Sequence, residues 1–262
     1  MYLRVLFMFF LFTIVSCHKV INEFPVDKTS ILSTDYRIFQ GTEAWLLAKY
    51  TKKGDIEGIK KEIENNPNLL DFQEPVYGMS VLHLSIYNDN YKSFLQLLDS
   101  KVNLQTYDYE HCTSPIIMVC GLDEKKYLKY LKKLIEYGAK INDVECDNDK
   151  IKEATNRTPL MEAIRYGNKK MVEYLIDNGV DINFVNIDKV TALGYSVLVD
   201  EFDITYLLLQ KGADCNLILY YKYDKYQNKK PVYLKDILSN NKNMKNSKYY
   251  INIKSLATNL GC

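Results

Sequence analysis

Apolar residues recur at helical spacing along most of this chain, and the pattern restarts at a fixed interval. Val172, Leu175 and Ile176 make one face of a short helix apolar, and Ile204, Leu207 and Leu208 do the same further on. Each of these helices follows a shorter one, and each pair closes on a glycine. The stretches TNRTPLMEAIRYGNKKMVEYLIDNGVDIN (155–183) and DKVTALGYSVLVDEFDITYLLLQKGADCN (188–216) are near copies, and Thr158 and Thr191, which open the first helices, lie 33 positions apart. A period of this size predicts stacked helical units, none of which can bury its apolar face alone. Stacked arrays of this kind are surfaces for holding a partner far more often than pockets for chemistry.

The punctuation fits the period. Thr158 can cap a helix by accepting from an orphan N–H, and Pro159 sits in the first turn, where its missing N–H costs nothing. Ala163 is small where two helices press together, and Gly179 and Gly212 fall where a left-handed residue ends a helix. Upstream, Gly78-Met79-Ser80-Val81-Leu82-His83 opens a unit that runs through Phe94, Leu97 and Leu98 to Leu104. Ser114-Pro115-Ile116 opens another, which ends at Asn142 after 28 residues, against 25 from Thr158 to Asn183. The three extra residues are expected in the polar stretch around Asp123–Lys126, between the two helices. Leu46–Ile63 predicts a degenerate first unit, and Pro231–Leu238 with Ile251–Leu260 a degenerate last one.

Thr158-Pro159-Leu160-Met161-Glu162-Ala163 resembles the T-P-L-H-x-A consensus of ankyrin repeats, and Gly212-Ala213-Asp214-Cys215-Asn216 resembles their G-A-D-V-N ending. The resemblance implies an all-α solenoid of helix-turn-helix units joined by β-hairpin-like loops. About six repeats fit residues 43–262, with degenerate caps at about 43–72 and 229–262. It also implies a protein-binding module that uses its concave face. In the consensus register that face carries Leu84, Met118, Glu162 and Tyr195, and a turn further on Tyr87, Arg165, Tyr166 and Leu198. Tyr, Met and Arg in such a row suit the core of an interface. Leu84 and Leu198 could equally pack against neighbouring loops.

The N-terminus is a different kind of sequence. After Arg4 the chain is apolar from Val5 to Phe12, and the run that ends at Val15 is 11 residues long, too short for a bilayer that takes about 20. Residues 1–16 read as a secretory signal peptide. Ile14-Val15-Ser16-Cys17 resembles the bacterial lipobox, which implies a lipid-modified Cys17, a tether over residues 17–42 and a place in the cell envelope, at the outer membrane or its periplasmic face. The bland reading is an ordinary cleaved signal or a short anchor.

Charge adds little. With 34 basic against 33 acidic residues the net charge is +1, so no nucleic-acid partner is expected. One loop stands out, because 16 residues separate Asn142 from Thr158 where 8 separate Asn183 from Thr191. Its stretch holds Asp143, Glu145, Asp147, Asp149 and Glu153, and Asp147 and Asp149 are candidate contacts of an acidic finger. A solvated loop is the alternative, and a calcium site lacks the required glycine and twelve-residue frame. The basic-aromatic stretch Tyr220–Lys230 reads as a hairpin-tip loop, with Tyr223 as a second contact.

Of six cysteines, Cys120 and Cys215 occupy small or apolar repeat slots and read as buried hydrophobes. Cys112, Cys146 and Cys262 are left as pairing or reactive thiols. The three histidines include His83 in the consensus slot, where it reads as structural. No hydrolase, P-loop or dinucleotide motif appears, so no cofactor, metal or small-molecule substrate is expected. The leading expectation is a membrane-tethered, non-enzymatic adaptor for a protein partner, with an immunity or inhibitor protein as its more specific version. The rivals are an exported redox or hydrolytic protein that uses a Cys thiol, and a structural envelope protein without a discrete partner.

Overall fold

The computed structural model describes residues 25–146 and 156–262. Within them, ten helices fall into five antiparallel pairs: α1 (Trp45–Lys53) with α2 (Ile56–Asn65), α3 (Val81–Tyr87) with α4 (Tyr91–Asp99), α5 (Pro115–Cys120) with α6 (Glu124–Glu136), α7 (Pro159–Arg165) with α8 (Lys169–Asp177), and α9 (Ala192–Leu198) with α10 (Phe202–Gln210). First helices pack on first helices along the series from α1 to α9. A hairpin of β1 (Tyr220–Tyr223) and β2 (Lys229–Val232) follows, then α11 (Leu234–Asn240), α12 (Lys242–Asn246) and α13 (Tyr250–Asn259), the last packed on α10. One apolar core runs through every unit, from Leu47 and Ile59 through Phe94, Leu131 and Val172 to Leu208 and Ile253.

The polar residues of the repeat hold it in register. Ser80, Thr158 and Thr191 cap α3, α7 and α9 by accepting from the backbone N–H of His83, Met161 and Gly194. Asn90 and Asn168, which precede second helices, donate backwards to the Thr51 and Cys120 carbonyls at 2.9 and 2.8 Å, tying each unit to its predecessor. The Asn that ends a repeat works forwards. Asn142 Oδ1 accepts from the Asp181 N–H at 2.7 Å, and Asn183 Oδ1 from the Asp214 N–H at 2.9 Å. Gly179 and Gly212 have φ of +85° and +91°, the left-handed C-caps the pattern predicts.

Several expectations change. The three extra residues of the third unit lengthen a helix rather than a loop, because Asp123 is the N-cap of α6 and α6 has 13 residues where α4 and α8 have 9. Most connecting loops are not paired strands: outside the β1–β2 hairpin, the described residues hold only the isolated bridges Gln73↔Ser80 and Val185↔Thr191. Pro231 lies in β2, so the last unit's first helix starts at Leu234.

The described part of the expected tether, residues 25–42, is not an unstructured spacer. Ile38 and Phe39 are fully buried, Tyr36 stacks on Trp45 at 5.6 Å, and Tyr77 and Asn88 donate to the carbonyls of Ile31 and Thr34. This segment packs on α1 and is tied to the second unit through Tyr77 and Asn88.

Gly194 occupies the slot where the consensus carries His. A Cβ there would lie 2.0 Å from the Leu219 carbonyl oxygen, which accepts from the Thr191 N–H at 3.2 Å. The glycine therefore serves close backbone approach. Gly194→Ala is expected to lower stability by about 2 kcal/mol through overpacking against backbone, read as the urea midpoint; an unchanged midpoint would mean that the hairpin does not press on α9.

Candidate functional site

The first helices and the loops before them enclose a cleft of about 570 Å³ on one side of the central units. Tyr87 comes from the end of α3, Met118 from α5, and Glu162, Arg165 and Tyr166 from α7 and its C-cap. Five residues of the sequence-derived row thus meet in one place. Met118 and Glu162 form the floor, while Tyr166 stands on the rim at 54% exposure. Glu110, His111 and Thr113 supply the wall from the loop before α5.

A buried ionic group fixes the floor. Arg157 donates to Glu145 at 2.6 Å and lies 2.9 Å from Glu162 Oε2, and Arg165 approaches the other Glu162 oxygen at 3.7 Å. The Arg157–Glu162 approach is too poorly aligned to be a hydrogen bond, so it is an ion pair by proximity. Burial raises the Glu162 carboxyl above its ordinary range, although Arg157 and Arg165 pull the other way. The Tyr87 phenol is raised well above its usual value, first by burial and then by Asp108 and Glu110. Tyr195, on α9, is half-buried and does not line the cleft.

The other candidates fall elsewhere. Leu84 is 1% exposed and belongs to the core, so the register position that opens onto the cleft in later units is closed in the second one. Tyr223 is exposed near the tip of the β1–β2 hairpin and does not line the cleft. Asp147 and Asp149 lie outside the described residues, as does Cys17. Asp143 and Glu145, counted with the acidic insert, are buried anchors: Asp143 accepts from the Tyr107 and Ser114 hydroxyls, and Glu145 holds Arg157.

Sequence reasoning missed Arg157, Glu110 and Gly121. The signal for Arg157 was its place directly before the Thr158 cap, where a loop turns onto the concave side.

The cysteines correct the reading of Cys215 and the thiol rival, while Cys120 is buried as its repeat slot predicts. Cys112 pairs with Cys146 and Cys215 with Cys262 in disulfides, so Cys215 is not merely an apolar filler. Cys120 keeps a free thiol that burial pushes well above its ordinary value, which makes it unsuited to nucleophilic work. Among the described residues no cluster of three or more His, Cys, Asp or Glu could hold a metal, and no helix is long and apolar enough to cross a membrane.

Residues 117–218 match the ankyrin-repeat family as three copies. The whole array has the fold of an ankyrin repeat domain from Acinetobacter baumannii, with a TM-score of 0.59 and 23% identity, covering 81% of this chain and 96% of that one. An ankyrin repeat protein of Fowlpox virus is 31% identical over 90 residues, 32% of this chain and 22% of its own length. One from Acanthamoeba polyphaga mimivirus is 26% identical over 143 residues, 55% of this chain and 12% of its own. The chain spans less than a quarter of these curated relatives. The chain has the ankyrin-repeat fold, and residues 117–218 carry the sequence pattern of that family.

Proposed function

We propose that this chain is a membrane-tethered, non-enzymatic adaptor that grips a protein partner in the bacterial envelope through the cleft on its first helices. The observation that carries the reading is the gathering of Tyr87, Met118, Glu162, Arg165 and Tyr166 around one cavity, each held by a helix or a buried ion pair. Tyr side chains lose little freedom on docking, and Tyr and Arg are the residues at which interface hot spots arise. Residues 1–16 as an export signal and Cys17 as the lipid-bearing residue supply the address. Two disulfides suit an oxidising compartment. An immunity or inhibitor protein is a specific form of the same adaptor.

A photo-crosslinking amino acid placed at Tyr166 in living cells should trap one discrete protein. The same group at Lys133, half-exposed on the second-helix side, should trap none. The chain should partition with the detergent phase of a cloud-point extraction, and Cys17→Ser should move it to the aqueous phase. Equal crosslinking from both positions would reduce the protein to an envelope component without a partner at this cleft, and an unchanged partition would remove the lipid anchor.

A further inference from the structure

The near-zero net charge conceals an uneven distribution. Residues 220–262 hold nine lysines, no arginine and two aspartates, while the preceding 219 residues hold 25 basic against 31 acidic side chains. All nine lysines are exposed. Of the two aspartates, Asp224 lies 3.5 Å from Lys230, and Asp236 accepts from the Tyr233 N–H at the start of α11. The neighbouring unit does not redress the balance, since residues 188–262 together still hold 11 basic against 7 acidic residues. Two of that unit's carboxylates are already engaged, Asp203 by Lys169 and Asp200 by the Asn243 amide. Charge segregated in this way at one end of a chain calls for a polyanion.

The β1–β2 hairpin carries the densest part of this charge. Lys222 stands directly opposite Lys230 across the two strands, and Tyr223 opposite Lys229. Like charges in facing positions destabilise a strand pair, and Asp224 offsets only one of the two. Lys222 also borders the same shallow hollow as Lys242 of α12, so the hairpin and the terminal helices turn lysines to one side. At the turn Tyr226 is 72% exposed, and Tyr223 is 63% exposed at the end of β1. Lys225 and Lys229 lie 4.8 and 4.5 Å from the ring centres of Tyr226 and Tyr221, which places each stem along an aromatic ring and each ammonium in water.

These features fit a sheet of anionic headgroups better than a strand or a peptide. The lysines are spread over the hairpin and the three helices after it, where a fluid array of headgroups can meet them together. A single nucleic-acid or acidic polypeptide backbone needs a basic groove to follow, and the hollow between Lys222 and Lys242 has Asp236 in its lining. Tyrosine, with an apolar ring and a polar tip, is a side chain of the membrane–water boundary.

We infer that the hairpin and the helices that follow it dock on an anionic phospholipid surface, with the lysine ammonium groups among the headgroup phosphates and the Tyr223 and Tyr226 rings at headgroup depth. The envelope reading supplies the setting, yet neither the cleft nor a lipid on Cys17 is needed for this contact. The more acidic units before the hairpin are not drawn to such a surface, so the contact is confined to one end of the array.

The test is flotation of the chain from residue 18 onward, which contains the whole described fold and no acyl group, with vesicles of phosphatidylcholine and phosphatidylglycerol in equal parts. Binding should be about tenfold or more tighter than to phosphatidylcholine alone, and should fall away as salt rises from about 0.1 to about 0.5 M. Replacing Lys222, Lys225, Lys229 and Lys230 by Gln should weaken it by about tenfold or more, and Tyr223→Ser with Tyr226→Ser by about threefold to tenfold. The same Gln exchange at Lys53, Lys60, Lys61 and Lys92, exposed on the first two units, should leave it unchanged. Far-UV circular dichroism checks that every variant stays folded. No preference for phosphatidylglycerol, or an equal loss from both sets of lysines, would overturn the inference. So would a single-stranded oligonucleotide or polyglutamate that strips the chain from the vesicles at equal charge, which would give the surface to nucleic acid or to an acidic protein. The lipid on Cys17 and the cleft are judged separately, by the cloud-point partition and the crosslinking.

Discussion

Replacing Cys112 and Cys146 by serine should cost this array about 4 kcal/mol of unfolding free energy, and the Cys215–Cys262 pair about the same. The bridges join residues 34 and 47 positions apart, and the loop entropy withheld from the unfolded chain grows only with the logarithm of that number. The Cα separations of 5.3 and 6.0 Å fall in the ordinary range for a disulfide, so the native state need not move to accommodate them. The consequences should differ in place. Cys112 lies on the cleft-side loop between His111 and Thr113, and the Cys146 N–H donates to its carbonyl at 3.1 Å. Losing that bridge loosens the cleft wall and the loop that brings Glu145 to Arg157. Cys262 ends the chain just past α13, and losing its bridge should fray the last unit first, because solenoid stability is roughly a sum over units and their interfaces. Urea unfolding of the two double variants, followed by tryptophan fluorescence (Trp45 reports the first unit) and by circular dichroism for the whole array, would separate the two effects. A loss under about 1 kcal/mol for either pair would contradict the entropic argument, and reactive thiols at Cys112, Cys146, Cys215 and Cys262 in the unfolded, unreduced protein would deny the bridges altogether.

The fold was legible because repeats write the same contact many times. Thr158 and Thr191 cap equivalent helices, Gly179 and Gly212 end equivalent ones, and Asn142 and Asn183 each bind the next unit, so one motif read twice predicts the stack. The row of cleft residues was legible for the same reason, since helical register fixes which side chains share a face. Where the chain departs from the period, sequence alone was weaker. Residues 25–42 have no clean spacing, and what orders them is contact with α1 and with Tyr77 and Asn88 of the second unit, partners that are together only once the first two units have folded. Leu84 occupies the same register slot as Met118 and Glu162, yet only those two line the cleft, so what that slot faces depends on neighbours outside its own repeat. The pairing of Cys215 with Cys262 joins a repeat ending to the chain terminus, and no period connects the two. Asp143 and Glu145 look like surface charge until Ser114, Tyr107 and Arg157 arrive from distant sequence to bind them.

His83 should make the array sensitive to mild acid. Its ring is fully buried in the second unit, where Nδ1 faces the Ser80 hydroxyl at 2.9 Å and the Ser80 N–H at 3.4 Å, closing the cap of α3. Nε2 is buried and closes no hydrogen bond. Burial pushes the imidazole pKa down to about 4 from 6.5, against the opposing influence of Asp108. Because the folded value lies below the unfolded one, the unfolded chain binds the extra proton first. The stability tied to the neutral ring is fully present above pH 6.5 and drains away as pH falls toward 4. A shift of this size corresponds to roughly 3 kcal/mol across that window. Glu162 and Glu201 act in the opposite sense, since their folded carboxyl values are raised and their contribution declines as pH rises. The clean observable is therefore a difference. His83→Gln keeps a polar side chain that can still meet Ser80, and it should flatten the wild-type slope of stability against pH between 6.5 and 4 while lowering stability at neutral pH. An imidazole resonance that titrates near its ordinary value in the folded protein, or parallel slopes for wild type and variant, would show that proton uptake by this ring does not drive acid unfolding.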